Sequence, residues 1–165
     1  MSIAKTFDPL LDLLDTVVSL DINDLFEQVA ETKEFKDLVI FLNQEGQLEL
    51  GVNSKGERLE KVRNDKRGLL YSPSYELLRK KRGLPVDRIT LNFTGSFGRS
   101  FEVNIDRNKD EVLISINANT IKENTDLRKV WGNEILGLSD ESIEVLVDFA
   151  REAIQINLQR LLFSR

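Results

Sequence analysis

One stretch decides the fold class of this chain: residues 101–117, FEVNIDRNKDEVLISIN. Polar and apolar residues alternate along 101–105, and the apolar residues Val112, Ile114 and Ile116 occupy every second position along 112–116. This is the period of a β-strand with one buried face. The intervening residues 106–110 are polar and favour a turn. Two alternating segments on either side of a polar turn predict an antiparallel β-hairpin.

The residues after the hairpin predict a long C-terminal amphipathic helix over 139–164. Ser139 is a suitable N-cap, and Asp140 and Glu141 fall in the first turn. One apolar stripe predicts the buried face of this helix: Ile143, Leu146, Val147, Ala150, Ile154, Leu158 and Leu161.

A second apolar stripe makes this helix more apolar than a half-exposed helix needs. It is either additional core or a subunit interface, and the sequence leaves both open. The stripe consists of Val145, Phe149, Ile156 and Phe163.

The residues before the hairpin predict helices, a loop and one further strand. Helical apolar spacing makes 1–50 a helical N-terminal region, with helices over about 10–18, from 21 to 29, and over about 34–50. An exposed loop is expected over 51–68, a short helix over 74–82, a strand over 88–93 and a glycine-containing turn over 94–100.

These elements predict a single α+β domain of 165 residues. It would contain N-terminal helices, a small antiparallel β-sheet with a β-hairpin, and the long terminal helix. The regions are 1–50, a basic loop and short helix over 51–88, the hairpin region over 89–117, and the terminal helix over 139–164.

Charge is divided unevenly along the chain. The formal net charge is −5, from 23 basic and 28 acidic residues. Residues 1–53 carry −8, residues 54–88 carry +6 and residues 89–165 carry −3. A basic middle between acidic ends offers complementary surfaces for self-association or for an acidic partner.

A cationic cluster closes the short basic helix: Arg79, Lys80, Lys81 and Arg82. It either stabilises the helix C-terminus or forms a docking surface. With Tyr71 and Tyr75 nearby, a nucleic-acid-binding accessory module using the 54–88 segment is the alternative function. The sequence pI of about 5.0 argues against that alternative.

Composition removes most catalytic chemistry, because the chain has no His and no Cys. Imidazole-based triads, thiolate nucleophiles and His- or Cys-ligated metals are therefore excluded. The run Asp106-x-Asn108-x-Asp110 begins like a calcium loop, but Glu111 replaces its glycine. We expect no catalytic residue, no bound metal, no cofactor and no membrane-spanning segment.

Several short motifs resemble those of a known group of proteins. They are residues 68–75, GLLYSPSY; residues 81–91, KRGLPVDRITL; residues 94–101, TGSFGRSF; and residues 132–139, GNEILGLS. The chain resembles the virion-morphogenesis and tail-completion proteins of tailed bacteriophages over about residues 40–150.

This resemblance implies a non-enzymatic structural component of the virion, assembled in the host cytoplasm. Such a protein would form a homo-oligomeric ring, six- or twelve-fold, at the head–tail interface (neck). Its partners would be portal or connector and tail proteins, with possible proximity to DNA in the channel. The expected interface residues are Arg79, Lys80, Lys81, Arg82, Tyr71, Tyr75, Val145, Phe149, Ile156 and Phe163.

Overall fold

The computed structural model describes residues 21–59, 71–92, 94–109, 111–122 and 125–163 and shows an α+β fold, as predicted. Its helices are α1 (Ile22–Ala30), α2 (Lys33–Asn43), α3 (Pro73–Lys81), α4 (Leu127–Trp131) and α5 (Asp140–Phe163). Its strands are β1 (Glu102–Asn108), β2 (Glu111–Asn117), β3 (Ile121–Lys122) and β4 (Thr125–Asp126). The helix predicted over about 10–18 lies outside the described residues.

The predicted hairpin is confirmed as the antiparallel pair β1 and β2. Pairing runs from Glu102 opposite Asn117 to Asn108 opposite Glu111. The strands therefore continue into the residues expected to form the turn, because a short connection lets the ladder persist to its end. The apolar partners Val103 and Ile116 share the face that packs against the helices.

One core cluster joins that inner face of the hairpin to α1, α2 and α5. Phe35 and Val39 of α2 are fully buried there, and Leu146 and Ala150 of α5 are nearly so. Their spacing of four residues places each pair on one helix face. Burial of side chains of this size stabilises the fold by roughly 1.5–3 kcal/mol each.

A second core cluster is built mainly from residues outside regular elements. Its buried members are Leu48, Leu59, Tyr71, Ile89, Phe97, Phe101 and Ile135. Leu59 is 4% exposed, and Val52 and Arg58 form an isolated β-bridge. The prediction of an exposed loop is confirmed in part for 51–59: residues 55–58 are exposed, whereas Gly51, Asn53 and Leu59 are buried. Residues 60–68 lie outside the described part.

The strand predicted over 88–93 is wrong for its described residues. Ile89 and Thr90 are buried, but residues 88–92 have no strand partner. The Thr90 N–H donates instead to the hydroxyl oxygen of Tyr71 at 3.2 Å. Alternation of polar and apolar residues indicates that one side of a segment is buried. An irregular segment with one buried side shows the same alternation as a strand.

The third predicted helix is confirmed in part. α2 ends at Asn43 and continues as a π-helical turn, Gln44–Leu48, which contains Gly46. The wider turn is closed by the Glu49 N–H donating to the Gln44 carbonyl at 2.8 Å. No helix in the described ranges is long and apolar enough to cross a bilayer.

Gly51 follows this turn and allows two segments to approach closely. Its φ is +78°, and a Cβ here would lie 2.9 Å from the Ile89 carbonyl oxygen. We expect Gly51→Ala to lower the free energy of unfolding by roughly 3 kcal/mol, from backbone strain plus the contact. Denaturant unfolding measures this change.

Gly56→Ala is the matched control for that measurement. Gly56 has a similar φ of +73°, but a Cβ at this position would have no neighbouring atom within 4 Å among the described residues. Its substitution should cost only the backbone term, about 1–2 kcal/mol. Equal losses for the two variants would contradict the close approach at Gly51.

Candidate interaction surface

The cationic cluster at the end of α3 does not form one surface. Arg79 is only 1% exposed. Its Nε donates to the Pro85 carbonyl at 2.8 Å and its Nη2 donates to Thr90 Oγ1 at 2.8 Å. The guanidinium carbon lies 4.6 Å from the centre of the Tyr71 ring, a cation–π distance. Arg79 is thus a core residue that joins α3 to the 85–90 segment.

Tyr71 completes this buried arrangement. Its hydroxyl donates to the Arg88 carbonyl at 3.1 Å and accepts from the Thr90 N–H. Burial raises the pKa of the Tyr71 hydroxyl, while the hydrogen bond from Thr90 and the nearby charge of Arg79 oppose that rise. The prediction that Arg79 and Tyr71 lie on a docking surface is wrong, because both are enclosed within the chain.

The rest of the cluster remains on the surface. Lys80, Lys81 and Arg82 are exposed, and Lys80 forms an ion pair with Glu76 at 2.6 Å. Tyr75 is half-buried, with its ring 5.5 Å from that of Tyr71. Tyr71 is buried and therefore presents no free face of the kind that base stacking requires.

The second apolar stripe of the terminal helix also contains both exposed and packed residues. Val145 and Ile156 are each 49% exposed and Phe163 is 76% exposed. Phe149 is half-buried, and its ring lies 6.3 Å from that of Phe35 in the first core cluster. Phe149 is therefore packed within the fold, while the other three are available to a partner.

The C-terminal half of α5 is less buried than its N-terminal half, and Ala153 and Ile154 pack against the first core cluster only as partly buried side chains. Residues 151–163 contain no fully buried side chain, whereas 140–150 contain Ser142, Leu146 and Ala150. The density of charged residues along α5 falls after residue 152. Residues 140–152 carry five carboxylates and Arg151, but Arg160 is the one charged residue of 153–163.

An apolar groove of about 420 Å³ lies beside the N-terminal half of α5. We call it the α5 groove; it is lined by Phe26, Ile114, Ile116, Leu136, Gly137, Leu138, Ile143, Leu146 and Val147. Ile143 and Val147 at its edge are 45% and 48% exposed. The prediction that both lie on a buried face is wrong. The groove itself has no signal in the sequence, because it depends on how α1, β2 and α5 are spaced.

Two buried amides fix the start of α5. Asn43 Nδ2 donates to the Gly137 carbonyl at 2.6 Å, and Gln47 Nε2 donates to the same oxygen at 3.1 Å. Gln47 Oε1 accepts from the Ser139 N–H at 2.7 Å. Ser139 caps the helix, as predicted, because its Oγ accepts from the Ser142 N–H. This arrangement holds one wall of the α5 groove against the π-helical turn.

Arg107 holds another wall of the groove, α1, against the hairpin. It is central to an ion-pair cluster with Glu27 at 2.8 Å, with Asp21 at 3.1 Å, and with Asp24. Hydrogen bonds to Glu27 and Asp24 raise the pKa of the Arg107 guanidinium. The acidic face of α1 is therefore partly neutralised by a cation of β1.

The motif TGSFGRSF borders a second depression, of about 310 Å³. Gly98 lies under the side chain of Gln44, whose Nε2 donates to the Gly98 carbonyl at 2.7 Å. Gly95 adopts a φ of +71° in the turn, and the Arg99 guanidinium folds over it. The predicted turn is confirmed, and its residues are held by contacts within the chain.

The part of the chain that the structure describes gathers no metal-binding cluster on these surfaces. Among residues 21–59, 71–92, 94–109, 111–122 and 125–163, no three His, Cys, Asp or Glu side chains are placed to hold a metal ion. Exposed apolar residues lie along α5 and beside the α5 groove, and also on α3, where Leu77 and Leu78 are 56% and 40% exposed.

Comparison with models of known protein families, with curated proteins and with solved structures finds no match to this chain.

Proposed function

We propose that this protein is a non-enzymatic structural component of a tailed-phage particle that assembles into a ring at the head–tail interface. The observation that carries the self-assembly is the exposed apolar side of α5 formed by Ile156 and Phe163, which are 49% and 76% exposed. Contiguous apolar surface on a soluble chain is typical of a protein–protein contact. The place in the particle rests on the resemblance of residues 40–150.

The arrangement of charge supports an assembly of copies. Acidic side chains are concentrated on α1 and on the first half of α5, whereas the exposed cations Lys80, Lys81 and Arg82 lie at the end of α3. Surfaces of opposite sign on one chain favour contacts between different patches of successive copies. A ring of six or twelve copies is the closed form that the resemblance implies.

The nucleic-acid alternative loses part of its basis. It required Tyr71, Tyr75 and the four cations to act together, but Tyr71 and Arg79 are buried. The remaining exposed cations Lys80, Lys81 and Arg82 would meet an acidic protein face or the DNA backbone without an aromatic ring enclosed beside them.

Sedimentation of the purified chain over a range of concentration and salt tests self-assembly. We expect a discrete oligomer, visible as a ring by electron microscopy. A strict monomer at the highest attainable concentration would contradict the proposal.

The position in the particle needs a separate test. In a phage that encodes this chain, disruption of its gene should leave filled heads and free tails that do not join. Particles with normal tails would place the protein elsewhere, even if the purified chain forms rings.

A further inference from the structure

The terminal helix carries two apolar features of opposite shape. The α5 groove is concave and lies beside the N-terminal half. The other feature, which we call the α5 tip, is a convex face made by Ile156, Arg160 and Phe163. Their spacing of four and three residues places these side chains on one side of the helix, and all three are exposed. A groove of about 420 Å³ is within the range of protein pockets that take small apolar groups.

The charges around the two features are complementary. Asp140 and Glu144 are exposed, and they lie one turn before the groove residues Ile143 and Val147 respectively. Arg160 stands between the two apolar residues of the tip and is the one charged residue of 153–163. A tip lying in a groove would place a guanidinium beside two carboxylates at the rim, which steers the contact and sets its register.

The tip and the groove of one molecule cannot meet. Both belong to one continuous helix, in which the 20 residues from Ile143 to Phe163 span about 30 Å. Even the nearest members of the two features, Val147 and Ile156, are nine residues or about 14 Å apart along the helix. A second copy of the chain carries the same pair of features, so the groove of one molecule is free to take the tip of another.

We propose that the α5 tip of one copy inserts into the α5 groove of the next. This inference rests on the proposed self-assembly and names its partner and contact. Ile143 of the groove and Phe163 of the tip face opposite sides of one straight helix. One pair of copies therefore does not fill both grooves, and it keeps one free tip and one free groove. Such head-to-tail contacts close into a ring when the rotation between copies permits.

Two variants separate the sides of the contact. Ile143→Glu places a carboxylate in the groove and leaves the tip intact, whereas Phe163→Glu does the reverse. Both residues are exposed, at 45% and 76%, so the monomer should keep its circular dichroism and melting temperature. Each variant alone should associate about 30-fold or more weakly than the wild type, as expected for loss of a central contact.

Mixing the two variants is the decisive experiment. Copies with an intact groove can take the intact tip of the other variant, but no third copy can add to that pair. Equimolar mixing should therefore restore a dimer and nothing larger, as measured by analytical ultracentrifugation. An interface between identical patches would not be restored by mixing the two variants. A mixture that stays monomeric would therefore overturn the inference.

A charge exchange tests the register. Arg160→Glu should weaken association, and Glu144→Arg in the same chain should recover at least part of it. Recovery by any surface cation would contradict this pairing. Glu152→Arg serves as the control because Glu152 lies five residues beyond Val147, the last groove residue of α5.

The remaining outcomes separate this inference from the proposed function. A monomeric wild type overturns both. A wild type that forms rings, with Ile143→Glu and Phe163→Glu forming them equally well, overturns the inference and leaves the ring. If Ile143→Glu lowers the melting temperature of the monomer and Phe163→Glu does not, the groove is covered from within the same chain and the inference fails.

Discussion

Replacing Arg79 by Ala should lower the free energy of unfolding by about 3 kcal/mol. The substitution removes a fully buried side chain and leaves the Pro85 carbonyl and the Thr90 hydroxyl without their donor. It also removes the cation from the face of the Tyr71 ring. Chemical denaturation followed by circular dichroism measures the change.

Lys80→Ala is the matched control, one residue further along the same helix. Lys80 is exposed, with an ion pair to Glu76, and exposed pairs of this kind contribute less than about 1 kcal/mol. Arg79→Lys keeps the charge but cannot reach both oxygens in the same way, so it should recover only part of the loss. Equal effects of Arg79→Ala and Lys80→Ala would show that Arg79 is a surface residue.

Replacing Gln47 by Leu should lower the free energy of unfolding by about 2–3 kcal/mol. The leucine fits the buried position but cannot accept from the Ser139 N–H, which would be left unpaired next to the cap of α5. Gln44→Ala is the control from the same π-helical turn. Gln44 makes one bond at a half-buried position, so its loss should be about 1 kcal/mol.

Gln47→Glu adds a pH test of the same contact. A carboxylate would still accept from Ser139 but would face the Gly137 carbonyl without a proton to donate, and its burial would raise its pKa. Because the folded form then binds a proton more tightly than the unfolded form does, this variant should gain stability as the pH falls toward about 4.3. A pH-independent difference from the wild type would contradict the buried contact.

How far the sequence predicts this structure depends on whether the signal is local. The hairpin is predicted by alternating apolar residues, and the start of the terminal helix is predicted by the Ser139 cap. Each signal is carried by residues that are close together in the sequence. The strand expected at 88–93 fails because Thr90 obtains its backbone partner from Tyr71, which is 19 residues away. The helix predicted over about 34–50 is α-helical only as far as Asn43. It continues as a π-helical turn, in which Gln47 donates to the carbonyl of Gly137, 90 residues away in the sequence.

The candidate interface shows the same limit. Val145, Ile156 and Phe163 are exposed, consistent with the second stripe, because surplus apolar residues on a helix are visible in its periodicity. Phe149 belongs to the same stripe but packs against Phe35, since the stripe begins over the core and ends beyond it. Arg79 has the sequence position of a dipole-stabilising surface charge, and no local pattern distinguishes it from its neighbour Lys80.

The sequence by itself determined the hairpin, the terminal helix, the segregation of charge and the absence of imidazole and thiol chemistry, because these are properties of composition and of short-range order. Only the tertiary structure decided which cations and aromatic rings are enclosed, where α5 leaves the core, and that a groove opens beside it. Those features depend on distances between segments far apart in the chain. Whether a side chain is buried depends on how the whole chain packs. The residue type determines only the free energy of burying it.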